Sequence, residues 1–211
     1  MDSVCDRMRA NYLSRISGFK ILDALVTAVD NKDRYTRKHS EDVMLYSQQI
    51  AAELGLDGET MDLIQLTALL HDVGKIGVPD SILRKPGKLT EDETLAIQQH
   101  APMGAMIVSA VPGFVATLEG IRHHHERWDG GGYPDRLAGT NIPQMGRVLA
   151  VADAFSAMTT NRPYRAGMPQ KRALGILKDG AGSQWDPDCV TAFLRARGVL
   201  ASPKPDDERS E

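Results

Sequence analysis

Histidine and aspartate are the residues in this chain whose types and spacing can do chemistry. There are six histidines: His39, His71, His100, His123, His124 and His125. Asp72 follows His71 directly, and Glu126 and Arg127 follow the histidine run. A neutral imidazole offers one nitrogen lone pair and a carboxylate offers two oxygens. Together they suit iron, manganese, zinc or nickel better than magnesium or calcium. One histidine alone is usually a core or surface group with its hydrogen bonds satisfied. A set of them, delivered by several predicted helices and joined by aspartates, reads as a metal site if the fold makes them converge. In all-helical proteins such cages are built where helices face one another. Spacing alone does not prove convergence, and the run from His123 to His125 reads equally as a surface cluster.

The elements that must position these groups are helical. Ile21, Leu22, Leu25, Val26 and Val29 recur at helical spacing and predict a buried stripe. Val43, Ile50, Ala51 and Leu54 predict a second helix that ends near Gly55. The dense apolar segment Leu63, Ile64, Leu66, Ala68, Leu69 and Leu70 predicts a third, buried on most sides and running into His71. Thr90-Glu91-Asp92-Glu93 is a capping box that opens a helix reaching about His100. Pro143 stands near the start of a helix that carries Val148, Leu149, Ala152 and Phe155 and ends before Pro163. Pro169 and Gly180 bracket one short final helix, and Pro187 and Gly198 bracket another. Alternating strand patterns are scarce, and the glycine-rich run from Asp129 to Pro134 reads as a loop. The expected fold class is all-α.

Composition narrows the function. The chain has 211 residues, 42% of them hydrophobic and 25% charged, an ordinary globular balance. A net charge of -3 gives no global basic field for a DNA or RNA polymer, so an anionic ligand must be held by a local site. No stretch approaches the ~20 consecutive apolar residues of a membrane span, and the first residues lack a signal-peptide core, so the expected location is cytoplasmic. Cys5 and Cys189 are far apart and form no disulfide framework.

The motifs, taken in order, resemble the HD-GYP family of the HD phosphohydrolases. The similarity spans about Asp33 to Pro187, opening with Asp33-Arg34-Tyr35-Thr36 before His39 and L-L-H-D-V-G-K-I-G-V-P-D at Leu69 to Asp80. Lys85-Pro86-Gly87-Lys88-Leu89 and His100 follow. Next come H-H-E-R-W-D-G-G-G-Y-P at His124 to Pro134 and V-A-D-A-F at Val151 to Phe155. Asn161-Arg162-Pro163-Tyr164-Arg165 closes the series. The resemblance implies an HD-type helical bundle with a metal centre in its core, over 15–200. Residues 1–14 are then a linker stub and 201–211 a disordered charged tail. It also implies hydrolysis of cyclic di-GMP to pGpG or on to GMP, with two divalent ions, iron or manganese. A cyclic di-GMP-binding module with little turnover, or a phosphohydrolase of another cyclic dinucleotide, are the alternatives. A homodimer or a fused sensory domain is compatible with the pattern.

The resemblance assigns roles. Asp72 bridges the two ions, His39, His71 and Asp153 complete one site, and His100, His124 and His125 the other. His123 matches no role. Asp72, Lys75 and Asp33 form the catalytic set, with Lys75 facing the phosphate and Asp33 assisting proton transfer. Lys75, Tyr133, Arg162 and Arg165 bind substrate. Lys75 is four residues after His71, so a continuing helix turn would put both on one side. Two positions depart from the family pattern. Tyr35 stands where some members have a third-metal glutamate, and Ser156 where many have a second aspartate.

Overall fold

Asp57 is extended and accepts a hydrogen bond from the Thr60 N–H, the capping arrangement that starts a helix at Gly58. Such local signals build an all-helical chain in this computed structural model, which describes residues 20–21, 23–29, 31–32, 37–161 and 166–201. The stretch 20–32 is helical where described. Then come α1 (Arg37–Glu53), α2 (Gly58–Leu70), a 3-10 turn (Val73–Gly77), α3 (Asp80–Leu83) and α4 (Glu91–Gln98). They are followed by α5 (His100–Ser109), α6 (Leu118–His123), α7 (Gln144–Thr159), α8 (Gln170–Asp179) and α9 (Pro187–Ala196). Among the described residues there is no strand, only an isolated bridge between Ala181 and Trp185. No described helix is long and apolar enough to cross a membrane.

The expected helices form, with three corrections. The stripe at the N-terminal end is only partly buried: Val29 is in the core, but Ile21 is 52% exposed. The helix begun by the Thr90–Glu93 capping box ends at Gln98, close to the expected His100, but a second helix that was not expected starts at His100. Pro102 lies in the first turn of that second helix, where the missing N–H would have no intrahelical partner anyway. Finally, α2 does not continue past His71. It tightens into the 3-10 turn that carries Lys75.

Two apolar clusters hold the helices together. The larger joins α1, α2, α7, α8 and α9 through Val43, Ile50, Ile64, Leu149, Phe155 and Phe193. At its centre the rings of Phe155 and Phe193 meet edge to face, 4.9 Å between centroids, and Tyr46 packs on Phe155 at 5.0 Å. The smaller cluster joins Leu70, Val73, Val108, Phe114 and Ile121. The metal candidates come from elements of both. Gly74 allows the close packing of the 3-10 turn on α5: a Cβ there would lie 1.9 Å from the His100 carbonyl oxygen. Only glycine permits that approach.

Candidate metal centre

The last carbonyls of a helix lack intrahelical donors, and three histidines are placed to satisfy one each. His71 caps α2 and its Nδ1 lies 2.6 Å from the Ala68 carbonyl oxygen. His124 caps α6 with Nδ1 2.7 Å from the Ile121 carbonyl. His100, just beyond α4, has Nδ1 2.6 Å from the Ile97 carbonyl. In each case Nδ1–H donates to a carbonyl three residues earlier. That sets the tautomer and leaves the Nε2 lone pair free to face inward.

These nitrogens converge on Asp72. Its Oδ1 lies 3.5 Å from Nε2 of His100. Its Oδ2 lies 3.4 Å from Nε2 of His71 and 4.0 Å from Nε2 of His39. His39 enters from the first turn of α1, and its Nε2 is 3.2 Å from Oδ1 of Asp153 on α7. Ser156, one helical turn beyond Asp153 and fully buried, has Oγ 2.8 Å from Nδ1 of His39. His100 and His124 bring their Nε2 atoms to 3.4 Å, and the His125 ring packs 5.0 Å from that of His100.

Ligand atoms within 4.8 Å of one another form one group from His39, His71 and Asp153 and another from His100, His124 and His125. His71, Asp72 and His124 make a third that connects them. The electrostatics suit metal ligation. Burial holds His100 below its usual value and His124 well below it. Burial pushes His125 down to about 3 despite the Asp153 carboxylate nearby, so these three are neutral at physiological pH. Burial also disfavours a charged His71, but the Asp72 carboxylate outweighs it and raises that imidazole to about 8, so a metal ion there would displace a proton from its Nε2. Burial opposes ionisation of Asp72 too, yet Lys75 and His71 hold it well below the usual carboxylate range. For Asp153, His39 likewise outweighs burial.

The donor set fits a metal on an observation of its own. Nε2 of His71 is buried and makes no directed hydrogen bond, its nearest acceptor being Oδ2 of Asp72 at 3.4 Å. An uncompensated buried polar atom is costly, and a cation in the space shared with Asp72 would satisfy it. These groups can hold metal ions.

The remaining expected residues divide. Lys75 reaches Oδ2 of Asp72 at 2.7 Å, so the 3-10 turn turns it to the carboxylate rather than continuing the α-helical face of His71. Tyr133 stacks on His125, 4.9 Å between ring centroids and 29° between planes. Burial, then the Asp153 carboxylate, raises the phenol above its usual value and keeps it a hydrogen-bond donor. Lys85 is drawn to both oxygens of Glu93 at 2.8 and 2.7 Å, and Lys88 is exposed. Arg127 pairs with Asp129. Asp33, Tyr35, Arg162 and Arg165 lie outside the described residues, as do Cys5 and the tail.

Sequence reasoning missed the support beneath the glycine-rich loop. His123, which matches no family role, is buried, with Nε2 2.8 Å from Oδ2 of Asp135 and Nδ1 2.9 Å from the Glu119 carbonyl. Arg122 donates to both Asp135 oxygens at 2.7 and 2.8 Å. Buried Glu126 accepts the N–H groups of Asp135 and Leu137 at 2.7 and 3.1 Å. The loop also packs on its own stem, since a Cβ on Gly132 would lie 2.3 Å from the Arg127 nitrogen. The signal available was a glutamate directly after three histidines, at the end of a helix.

Residues 23–189 match the HD domain family. The cyclic di-GMP phosphodiesterase response regulator RpfG of Xanthomonas campestris is 41% identical over 182 residues, 85% of this chain and 48% of its own length. A cyclic di-GMP phosphodiesterase of Thermotoga maritima is 40% identical over 179 residues, 84% of this chain and 49% of its own. The crystal structure of a cyclic GMP-AMP-specific phosphodiesterase of Vibrio cholerae superposes with a TM-score of 0.54 at 37% identity. It covers 85% of this chain and 41% of that one. The chain thus spans about half the length of the relatives it matches.

Proposed function

Because this chain belongs to the HD domain family, we propose that it is a metal-dependent phosphodiesterase that hydrolyses cyclic di-GMP in the cytoplasm, giving pGpG or GMP. The carrying observation is the placement of one carboxylate between two imidazole groups. Asp72 presents Oδ1 to His100 at 3.5 Å and Oδ2 to His71 at 3.4 Å. His39, His71 and Asp153 would hold one divalent ion, His100, His124 and His125 a second, and Asp72 would bridge them. Iron or manganese suits this mixed imidazole and carboxylate set. Ions held by these residues would acidify a bound water and offset charge on the phosphate oxygens.

The chain's own residues do the rest. Depressed imidazole basicity keeps His100, His124 and His125 neutral and able to donate lone pairs. The carbonyl partners of His71, His100 and His124 keep the rings from rotating. Lys75 sits on the Asp72 carboxylate, close enough to place positive charge beside a phosphate that reaches it. Tyr133 stays protonated and can donate to substrate or stack on a base. Asp33, as an aid to proton transfer, and Arg162 and Arg165, as forks for phosphate oxygens, complete the proposal on family resemblance.

Cyclic GMP-AMP is the second substrate to consider, because one relative of comparable similarity is named for it. One experiment addresses both. The protein is purified anaerobically, its metals are counted, and it is given cyclic di-GMP and 3'3'-cyclic GMP-AMP in competition, with Mn(II) or Fe(II). Metal-dependent release of pGpG or GMP is expected. About two ions per chain without turnover of either substrate would sink the enzymatic reading and favour a receptor.

A further inference from the structure

Tyr133 stands between the histidine group and a cavity. Its ring stacks on His125, and it also lines a cavity of about 420 Å³. That volume lies in the ~300–1,000 Å³ range of small-ligand sites. The other walls are Leu95, Gln98, Gln99, the glycines at 130–132 and Arg136. Gln99 directly precedes His100, and Tyr133 covers His125, so the cavity adjoins the His100–His124–His125 group. Its chemistry is specific: an aromatic ring, an exposed leucine, two amides and one guanidinium, without a carboxylate. Those groups suit a flat ligand whose edge carries hydrogen-bond acceptors.

Arg136 is held there against its backbone preference. With φ of 56°, it is the one non-glycine residue among those described in the left-handed region. The cause is identifiable. Glu126, 3% exposed, accepts the N–H groups of Asp135 and Leu137, the two residues flanking Arg136. The Asp135 side chain is itself tied down by Arg122 and His123. Strain of this kind persists only where the surroundings over-determine it, and it clusters at functional sites. Glycine would make the same turn without strain. Arginine gives a residue that lines the cavity a guanidinium.

We propose that this cavity receives one purine base of the cyclic dinucleotide and that Arg136 selects guanine over adenine. The proposal rests on the cyclic dinucleotide reading above. The guanidinium fork matches the O6 and N7 acceptors of guanine, whereas adenine presents an amino donor at the same place. Gln98 and Gln99 offer amide donors and acceptors to the rest of the base edge, and Tyr133 offers a ring face. Glu126 is a positioning residue, acting through the backbone of the turn.

The test compares wild type with R136G and R136K on cyclic di-GMP, cyclic di-AMP and bis(p-nitrophenyl) phosphate, a phosphodiester without a base. R136G relieves the backbone strain, so loss of fold is not the expected confounder, and R136K keeps the charge but not the fork. Both should raise KM for cyclic di-GMP about tenfold and narrow its preference over cyclic di-AMP. Turnover of the base-free ester and the metal content should stay as in wild type. Unchanged KM and unchanged preference in R136G, with wild type active on cyclic di-GMP, would overturn the guanine subsite alone. Wild type that cleaves the base-free ester but neither binds nor cleaves a cyclic dinucleotide would overturn the substrate reading, and the subsite with it.

Discussion

Nζ of Lys75 lies 2.7 Å from Oδ2 of Asp72, on a 3-10 turn that begins where α2 ends. The same oxygen is the one nearest His71. The lysine therefore shares the carboxylate with a candidate ligand. Replacing it tests whether its charge serves catalysis or only neutralises Asp72. K75M should lower kcat by about 100-fold while keeping its metal, measured by single-turnover assay and elemental analysis. A variant with kcat near wild type would reduce Lys75 to a counter-ion.

Asp72 and His100 should differ in what their loss removes. Asp72 faces both imidazole groups, whereas His100 belongs to one. D72A is expected to lose both ions and all activity, and H100A to retain about one ion. Elemental analysis on variants with native circular dichroism checks this. Equal metal loss in the two variants would contradict a bridge.

Ser156 orients His39. For Nε2 to offer a lone pair beside Asp153, Nδ1 must carry the proton and donate to Ser156 Oγ. S156A removes that acceptor in a buried place and should weaken metal affinity by about 10- to 100-fold at one site only. Titration with Mn(II), followed by paramagnetic resonance, would detect it. Unaltered affinity would mean that the serine only fills space.

Two glycines should respond in opposite directions to alanine. In G74A the new Cβ meets the backbone of His100 and Gly104 at 1.9 and 2.5 Å, and main chain cannot move aside cheaply. A loss of about 3 kcal/mol is expected in urea unfolding. Gly58 begins α2 with open space around it, so G58A should gain ~0.5 kcal/mol.

Cys189 provides a pH test away from the metal centre. Burial, and then the Asp186 carboxylate, raises its thiol above its usual value. In the unfolded chain the thiol ionises at lower pH than in the folded one. The unfolded state therefore binds fewer protons in the alkaline window, and this group's contribution to stability falls as pH rises through about 9. Iodoacetamide at pH 8 should leave Cys189 unmodified in native protein and label it in urea, read by peptide mass spectrometry. Rapid native labelling would show that the α9 face opens.

Much of the helical scaffold was legible because its signals are local. Pro143, Pro169 and Pro187 mark the starts of α7, α8 and α9, and the Thr90–Glu93 box closes as both of its bonds require. The end of α4 near His100 was legible, but α5 was not, because one residue, Gln99, closes one helix and opens the next without a side-chain cap. Burial of the N-terminal stripe was overstated: helical period says which residues share a face, not whether a neighbour covers all of it.

For the site, the sequence by itself determined which groups could be ligands, since imidazoles at helix ends and a carboxylate beside one of them are written in the residue types. Only the tertiary structure decided that they meet. The two oxygens of Asp72 face histidines from different helices, a relation set by how α2, α5 and α6 pack and by the absent side chain of Gly74. The same holds for the Glu126 clamp and the strained Arg136. A buried carboxylate chooses its backbone partners through space, and residue order alone carries no trace of that choice.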